Sequence, residues 1–412
     1  MKKSKHLLHP GFRMTSKKLP PLSPNPYKTY HGQTDSFRPS ILEEPDGFAR
    51  LLLFNSCYES MPTSSKMVVF DTDLVLWKAF NGFIYQNTRH VLLADSSKEG
   101  AISGILSVTD FIRVMLRLNK ERESREAASG VQEEVKTIQT DAIGKMSIRD
   151  YRELVQTEGN FMDLVSINAD QSLLEAARLL CHHRIHRLPV LDPDNSSPLF
   201  ILTHKRILKF MWCFGQQFCP SEWRKKTAKE LGVGTWVGIR VVFYDTRLSD
   251  CLDILLNKGV SGLPVVDPKT LEVQDVYTRF DAVGIALSQA NCLDVTVEEA
   301  LAYKRNIDRQ TERIVSVKET DTLWHTVSVL VDSSVHRVCV VNEKNAIEGI
   351  ISLSDVINFM VVKPGKALKP TKLTRHTQSA AGDLSDQAIT ALLQKNGKEL
   401  EEEAAYKRNP TS

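Results

Sequence analysis

The stretch "HRIHRLPVLDP", residues 183–193, sets a histidine and an arginine directly before a Leu-Pro-Val run that has the character of a core strand. Charge at the mouth of a core is costly unless something neutralises it. The arrangement is repeated along the chain, and a repeat decides the fold before any single motif does. "TRHVLLADSSKEGAISGILSVTDFIRVM" (88–115), "IHRLPVLDPDNSSPLFILTHKRILKFM" (185–211), "VSGLPVVDPKTLEVQDVYTRFDAVGIA" (260–286) and "VHRVCVVNEKNAIEGIISLSDVINFM" (335–360) align on their apolar-Asp or apolar-Asn runs. Arg89, His186, Ser261 and His336 then share one column. His186 to Ser261 and Ser261 to His336 are each 75 residues, whereas Arg89 to His186 is 97. The excess lies in residues 119–145, which are charged, poor in large apolar groups, and read as an inserted linker or exposed helix.

Each repeat has the same internal order. A helix comes first: in "SLLEAARLLCHHR" (172–184), Leu173, Leu174, Ala177, Leu180 and Cys181 line one face, and Ser172 with Glu175 forms an S-x-x-E start signal. In "TRLSDCLDILLNKG" (246–259), Leu248, Cys251, Leu252, Leu255 and Leu256 do the same before Gly259 stops the helix. Leu323, Val327, Leu330 and Val331 repeat the face in the last unit. Two β-rich runs follow, such as "HRVCVV" and "IEGIISL", divided by a polar turn, and a second helix closes the unit. The unit reads as helix-strand-strand-helix in an α/β protein, and one unit cannot cover its own small sheet.

Composition limits the function. With 412 residues and 42% hydrophobic content the chain can build two or three cores, and a net charge of +3 lacks the basic excess expected for nucleic acid. Seven scattered cysteines without a C-x-x-C pair read as reduced, intracellular thiols. No apolar run approaches the roughly 20 residues needed to span a bilayer. Residues 1–40 carry eight Lys/Arg, one acid and six prolines, and read as an unfolded tail rather than a transit peptide. The chain beyond about 366 reads as a polar tail whose one weakly helical stretch is "SDQAITALLQKNGKELEEEAA" (385–405). No P-loop, kinase motif set, H-E-x-x-H or G-x-S-x-G occurs, and His182, His183 and His186 lack the spacing of a closed zinc site. The chain therefore reads as no enzyme and no metal protein.

A helix-strand-strand-helix unit containing "HRLPVLDP" and ending [S/T]-x-[S/T]-D resembles a CBS repeat. Four in one chain resemble the γ regulatory subunits of AMP-activated protein kinase. "CYESMPTSSKMVVFDT" (57–72), "ILTHKRILKF" (201–210) and "ISLSDVIN" (351–358) are similar to segments of those subunits, and the resemblance covers about 54–362. It implies two CBS pairs in a flattened pseudo-symmetric disk. The divisions read as a basic Pro-rich tail over 1–50, repeats over 54–118, 146–215, 228–290 and 305–362, the 119–145 insert, and a tail over 366–412.

Ser107-x-x-Asp110, Thr278-x-x-Asp281 and Ser352-x-x-Asp355 open the closing helices, and from spacing alone each is a capping box. The second repeat departs with Thr203-x-x-Arg206. A carboxylate can accept hydrogen bonds from a ribose diol; arginine has no acceptor. The resemblance implies that the three aspartates hold ribose and that the arginine repeat has no nucleotide of its own. It assigns phosphate contacts to Arg89, His186, Arg187, Lys205, Arg305, His336 and Arg337, with Ser261, Ser352 and Ser354 beside them. Thr109 and Thr235 belong to the same set, and Ile105, Val165 and Val260 would flank adenine. Cations converging from four repeats would repel unless an anion sat among them, and phosphate fits.

Two departures stand out. "KGVSGLPVV" (258–266) replaces an "HRVSALPVV" type, so the third quarter of the ring lacks its His-Arg pair, and Gly238 and Arg240 stand where Asn and Ala are usual. The Asp281 site is therefore expected to be the most altered. By resemblance the chain is a non-catalytic sensor of AMP, ADP and ATP in a heterotrimer with an α-type catalytic and a β-type scaffold subunit. The expected location is the cytoplasm, with the nucleus second. The alternative is a diverged scaffold that keeps the kinase contacts and has lost sensing at one or more sites.

Overall fold

The computed structural model describes residues 46–130, 138–159, 163–282, 293–307 and 314–369. The tail before residue 46, the middle of the insert, and the polar tail from 370 with its helical stretch lie outside the described residues.

Four small sheets carry the repeats: β1 (Val69–Asp71), β2 (His90–Asp95) and β3 (Ala101–Ser107); β4 (Ile167–Asn168), β5 (Leu188–Leu191) and β6 (Pro198–Leu202); β7 (Gly262–Val266) and β8 (Val273–Thr278); β9 (Ser316–Lys318), β10 (Arg337–Val341) and β11 (Ile347–Ser352). The expected hairpins form, antiparallel, with a register shift near the end of β2, β5, β7 and β10 alike. In three repeats a short strand precedes the first helix and runs parallel to the central strand: Val69 faces Leu92, Ile167 faces Val190, and Ser316 faces Cys339. In the third repeat it shrinks to one bridge, Val242 to Val265. Two or three residues show no alternation, so the helix-strand-strand-helix pattern omitted this strand.

The helices Leu76–Gln86, Leu173–His182, Leu248–Asn257 and Leu323–Asp332 lead into the hairpins. Ser172 caps its helix through the Glu175 amide, 3.2 Å, but Glu175 turns to Arg178 instead of back to the cap, so only half of the expected box forms. Each of the four helices is followed by a residue in the left-handed region: Asn87 (φ 47°), Arg184 (51°), Gly259 (65°) and Ser334 (54°). Each stands two positions before the shared column, so one chain reversal delivers Arg89, His186, Ser261 and His336. Gly259, a departure by sequence, is the residue that takes this conformation with least strain.

Apolar faces are shared between repeats. One core joins the second and fourth, with Leu173, Leu180, Val190 and Phe200 against Leu323, Leu330, Val340 and Ile357. Another joins the first and third, with Phe83, Leu93 and Ile112 against Leu252, Leu263 and Val265. Val276, Cys339 and Val341 form a small cluster between the third and fourth. The first repeat's closing helix, Val108–Ser129, runs well past residue 118 into the charged insert. It docks on the third repeat through Lys120–Asp253 (3.2 Å), Arg122–Asp294 (2.5 Å) and Glu123–Arg247 (3.1 Å). The insert thus begins as a docked helix.

Gly259→Val is expected to lower stability by about 1–2 kcal/mol through backbone strain alone, since a Cβ there meets nothing within 4 Å. Chemical denaturation measures it; an unchanged midpoint would show that the reversal does not need glycine.

Candidate functional site

At the hairpin mouths, arginines cross from repeat to repeat. Arg187 donates through Nε to Nδ1 of His90 in the first repeat, 3.1 Å, and through Nη1 to the His186 carbonyl, 3.0 Å. Arg337 donates to the Ser261 hydroxyl in the third repeat. A Cβ at Gly262 would overlap the Arg337 guanidinium, so the absence of a side chain there makes room for the crossing. Arg279 donates to Thr109 Oγ1 in the first repeat, 3.0 Å, and to the carbonyls of Val260, 3.0 Å, and Leu255, 2.8 Å. The Arg89 guanidinium lies 4.7 Å from the centre of the Phe280 ring.

These side chains affect one another's ionisation. Enclosure by protein, then the charges of Arg187, Arg279 and Arg337, hold His186 down to about 4. Enclosure and the charges of Arg187, Arg89, Arg337 and Lys205 hold His336 down to about 3. His90 and His204 fall to about 3, again by enclosure first and then by neighbouring charges, Arg187 among them. Arg187 and Arg337 are themselves lowered to about 10, by burial first. Arg89, His186, Arg187, Lys205, His336 and Arg337 therefore lie near enough for their charges to act on one another. Arg89 and His186 nevertheless remain exposed, and Arg187, His336 and Arg337 half-buried, so water reaches them. Asp281, buried, is the acid whose charge favours ionised Arg89 and Arg337.

The aspartates form their capping boxes with one oxygen each. Asp355 Oδ2 accepts from the Ser352 amide, 2.8 Å, and hydroxyl, 2.6 Å, while Oδ1 accepts from none of the described residues. Asp110 Oδ2 accepts from the Ser107 amide, 2.9 Å, and Oδ1 from Arg113, 3.1 Å. Asp281 Oδ2 accepts from the Thr278 amide, 2.7 Å, and hydroxyl, 2.8 Å. Capping and ligand binding are thus compatible, most plainly at Asp355. In the second repeat Thr203 caps, and Arg206 reaches away to the Ser60 carbonyl, 2.6 Å.

The other expected residues are spread more widely. Ile105 is half-buried in β3, and Val165 and Val260 pack at the edges of the two large cores. Ser354 Oγ lies 2.9 Å from Ser352 Oγ. Thr235 is exposed and its backbone bridges Ile350. Gly238 (φ 67°) and Arg240 are exposed on the same loop. Arg305 belongs to the helix Val297–Ile307, with its side chain outside the described residues. A cavity of about 550 Å³ lies elsewhere, between helices of the first and third repeats. Of its charges, Arg117, Lys120, Glu121, Glu158 and Asp253 pair among themselves and Arg113 pairs with Asp110, so it does not compete as the anion site. Sequence reasoning missed His90, His204 and Arg279. The reversed Arg-His order of the first repeat signals His90, and a cation between Thr278 and Asp281 signals Arg279.

The CBS domain model matches residues 158–212, 238–286 and 305–362. These three segments are similar to CBS domains. The first repeat has the same three-stranded order as the second and fourth. The chain is 37% identical over 311 residues to 5'-AMP-activated protein kinase subunit gamma-3 of Sus scrofa, covering 75% of this chain and 57% of the relative. Against the Homo sapiens gamma-3 subunit it is 36% identical over 318 residues, covering 77% and 61%. The chain thus spans about three-fifths of the length of these relatives. A solved Methanocaldococcus jannaschii structure, described as an archaeal homolog of g-AMPK, superposes with a TM-score of 0.56 at 16% identity, over 74% of this chain and all of that one, which shows the shared fold. Among the described residues no helix is long and apolar enough to cross a membrane, and no group of His, Cys, Asp or Glu is placed to hold a metal ion.

The lowered histidines set a pH dependence. Their folded pKa values, about 3 to 4, lie below the ordinary 6.5, so the unfolded chain binds more protons in that window. Without added anions, their contribution to stability is complete above pH 6.5 and declines as pH falls toward 4. Denaturation midpoints across that range measure it, and a flat profile would show the histidines free to charge in the folded state.

Proposed function

We propose that this chain is a CBS-repeat protein, the non-catalytic, adenine-nucleotide-sensing γ subunit of a heterotrimeric AMP-activated serine/threonine kinase, assembled with an α-type catalytic and a β-type scaffold chain in the cytoplasm, with the nucleus second. Similarity to gamma-3 subunits supports the assembly. The observation that carries the sensing is the mutual influence of water-accessible cations from every repeat at the hairpin mouths, with Asp281 among the charges that act on them. AMP, ADP and ATP share base and ribose and differ in phosphate count, so aspartates such as Asp355 would hold each alike while the cations register the difference. A ligand shifts kinase activity only through unequal contacts with its two states; the expected outcome is that AMP favours the phosphorylated, active kinase and ATP does not.

Calorimetric titration of the purified chain, or its complex, with AMP and ATP tests this. Binding at micromolar concentration is expected, and failure to bind either nucleotide would leave the diverged scaffold. Asp355→Ala is expected to weaken one site by up to about 3 kcal/mol, for the loss of charge-assisted bonds. If it lowers only the stability of the free protein, Asp355 is a helix cap and nothing more.

Binding should also take up protons, because a phosphate among neutral histidines favours their charged forms. Repeating the AMP titration in buffers of different ionisation enthalpy reads this directly; identical apparent enthalpies would place the phosphate away from His186 and His336.

A further inference from the structure

Asp110 and Asp355 close the same capping box and differ in the oxygen that the cap leaves over. Asp355 Oδ1 accepts from none of the described residues, whereas Asp110 Oδ1 accepts from Arg113 Nη1, 3.1 Å. Arg113 stands three residues beyond Asp110, one helical turn along Val108–Ser129; the position three beyond Asp355 is Asn358, which carries no charge to form such a pair. The difference between the two aspartates thus lies in one residue of the sequence.

The pair is well held. The Asp110 and Arg113 side chains are only 20% and 24% exposed, so water and salt screen them less than a surface pair. Arg113 lines the cavity between the first and third repeats together with Tyr151, whose hydroxyl donates to the Asp110 carbonyl, 3.5 Å. With Oδ2 accepting from the Ser107 amide and hydroxyl and Oδ1 from Arg113, both oxygens of Asp110 are engaged before any ligand arrives. A guanidinium only donates, and each ribose hydroxyl must also donate to be held by a carboxylate, so the two compete for Oδ1. We infer that Arg113 is a latch on the first repeat's aspartate: a sugar diol reaches Asp110 by displacing the guanidinium, and Arg113 therefore lowers nucleotide affinity at this repeat. The inference rests on the reading of the capped aspartates as ribose acceptors.

Calorimetry on the full chain tests it, comparing wild type with Arg113→Met, which keeps an aliphatic stem and removes the donor. The probes are AMP and dideoxy-AMP, which lacks both ribose hydroxyls. AMP is expected to bind one site of the variant about three- to tenfold more tightly, and dideoxy-AMP to change by less than about twofold. Adding Asp110→Ala to Arg113→Met should abolish the gain, and Arg113→Lys, which keeps a charge, should show less of it. Weaker AMP binding by Arg113→Met would mean that the guanidinium helps to hold the sugar, and unchanged binding would mean that it does not compete; either result overturns the inference. So does an equal gain for both probes, or a gain that survives Asp110→Ala, since the effect would then not pass through the diol at Asp110. If wild type and Arg113→Met both fail to bind AMP, the ribose reading itself fails and takes the inference with it. Should Arg113→Met not fold, Arg113→Asn, which places at 113 the residue type found at 358, gives the same comparison with the same overturning results.

Discussion

Mutual repulsion among the cations at the hairpin mouths is the constraint on which the remaining structure depends. Arg89, Arg187, Arg279 and Arg337 come from four repeats, and each depresses a neighbour's protonation. A free chain would separate them. Two large apolar cores prevent that, because each is built from two repeats that are not adjacent in sequence. Pulling one arginine away would require uncovering a sheet in another repeat. The cores thus hold together charges that would otherwise disperse, and the chain keeps the histidines neutral as the least costly adjustment.

The same economy governs the helix starts. A carboxylate with two oxygens can satisfy the first amide of a helix with one and leave the other for a ligand. At Asp355 the second oxygen accepts from none of the described residues; at Asp110 it accepts from Arg113. The cap keeps each side chain in one orientation before a ligand arrives, so less conformational freedom is lost on binding. Arg206 cannot divide its duties this way, having no acceptor, and its guanidinium serves the Ser60 carbonyl instead.

Much of this was legible in the sequence, and the exceptions have physical reasons. The repeat and its hairpins followed from a column of polar residues before apolar runs. The parallel strands β1, β4 and β9 did not, since their partners lie across a helix and their lengths hide any period. The continuation of the helix Val108–Ser129 was obscured by its charge: low hydrophobicity marks an exposed helix as readily as a linker, and here ion pairs to Asp253, Arg247 and Asp294 hold it down. Arg279 escaped because alignment compares residues at one strand end, whereas its place is set across the hairpin by pairing of Gly262 with Thr278.

Substitutions that read as losses in the third repeat take on another meaning once the register is known. Gly259 occupies the left-handed turn that Asn87, Arg184 and Ser334 take with more strain. Gly262 makes the space through which Arg337 reaches Ser261. Were a second arginine placed at 262, it would stand where the Arg337 guanidinium already lies, beside Arg279. The third repeat thus holds its share of charge just past β8 and admits a neighbour's over β7. Equal charge from every repeat does not require equal residues in every column.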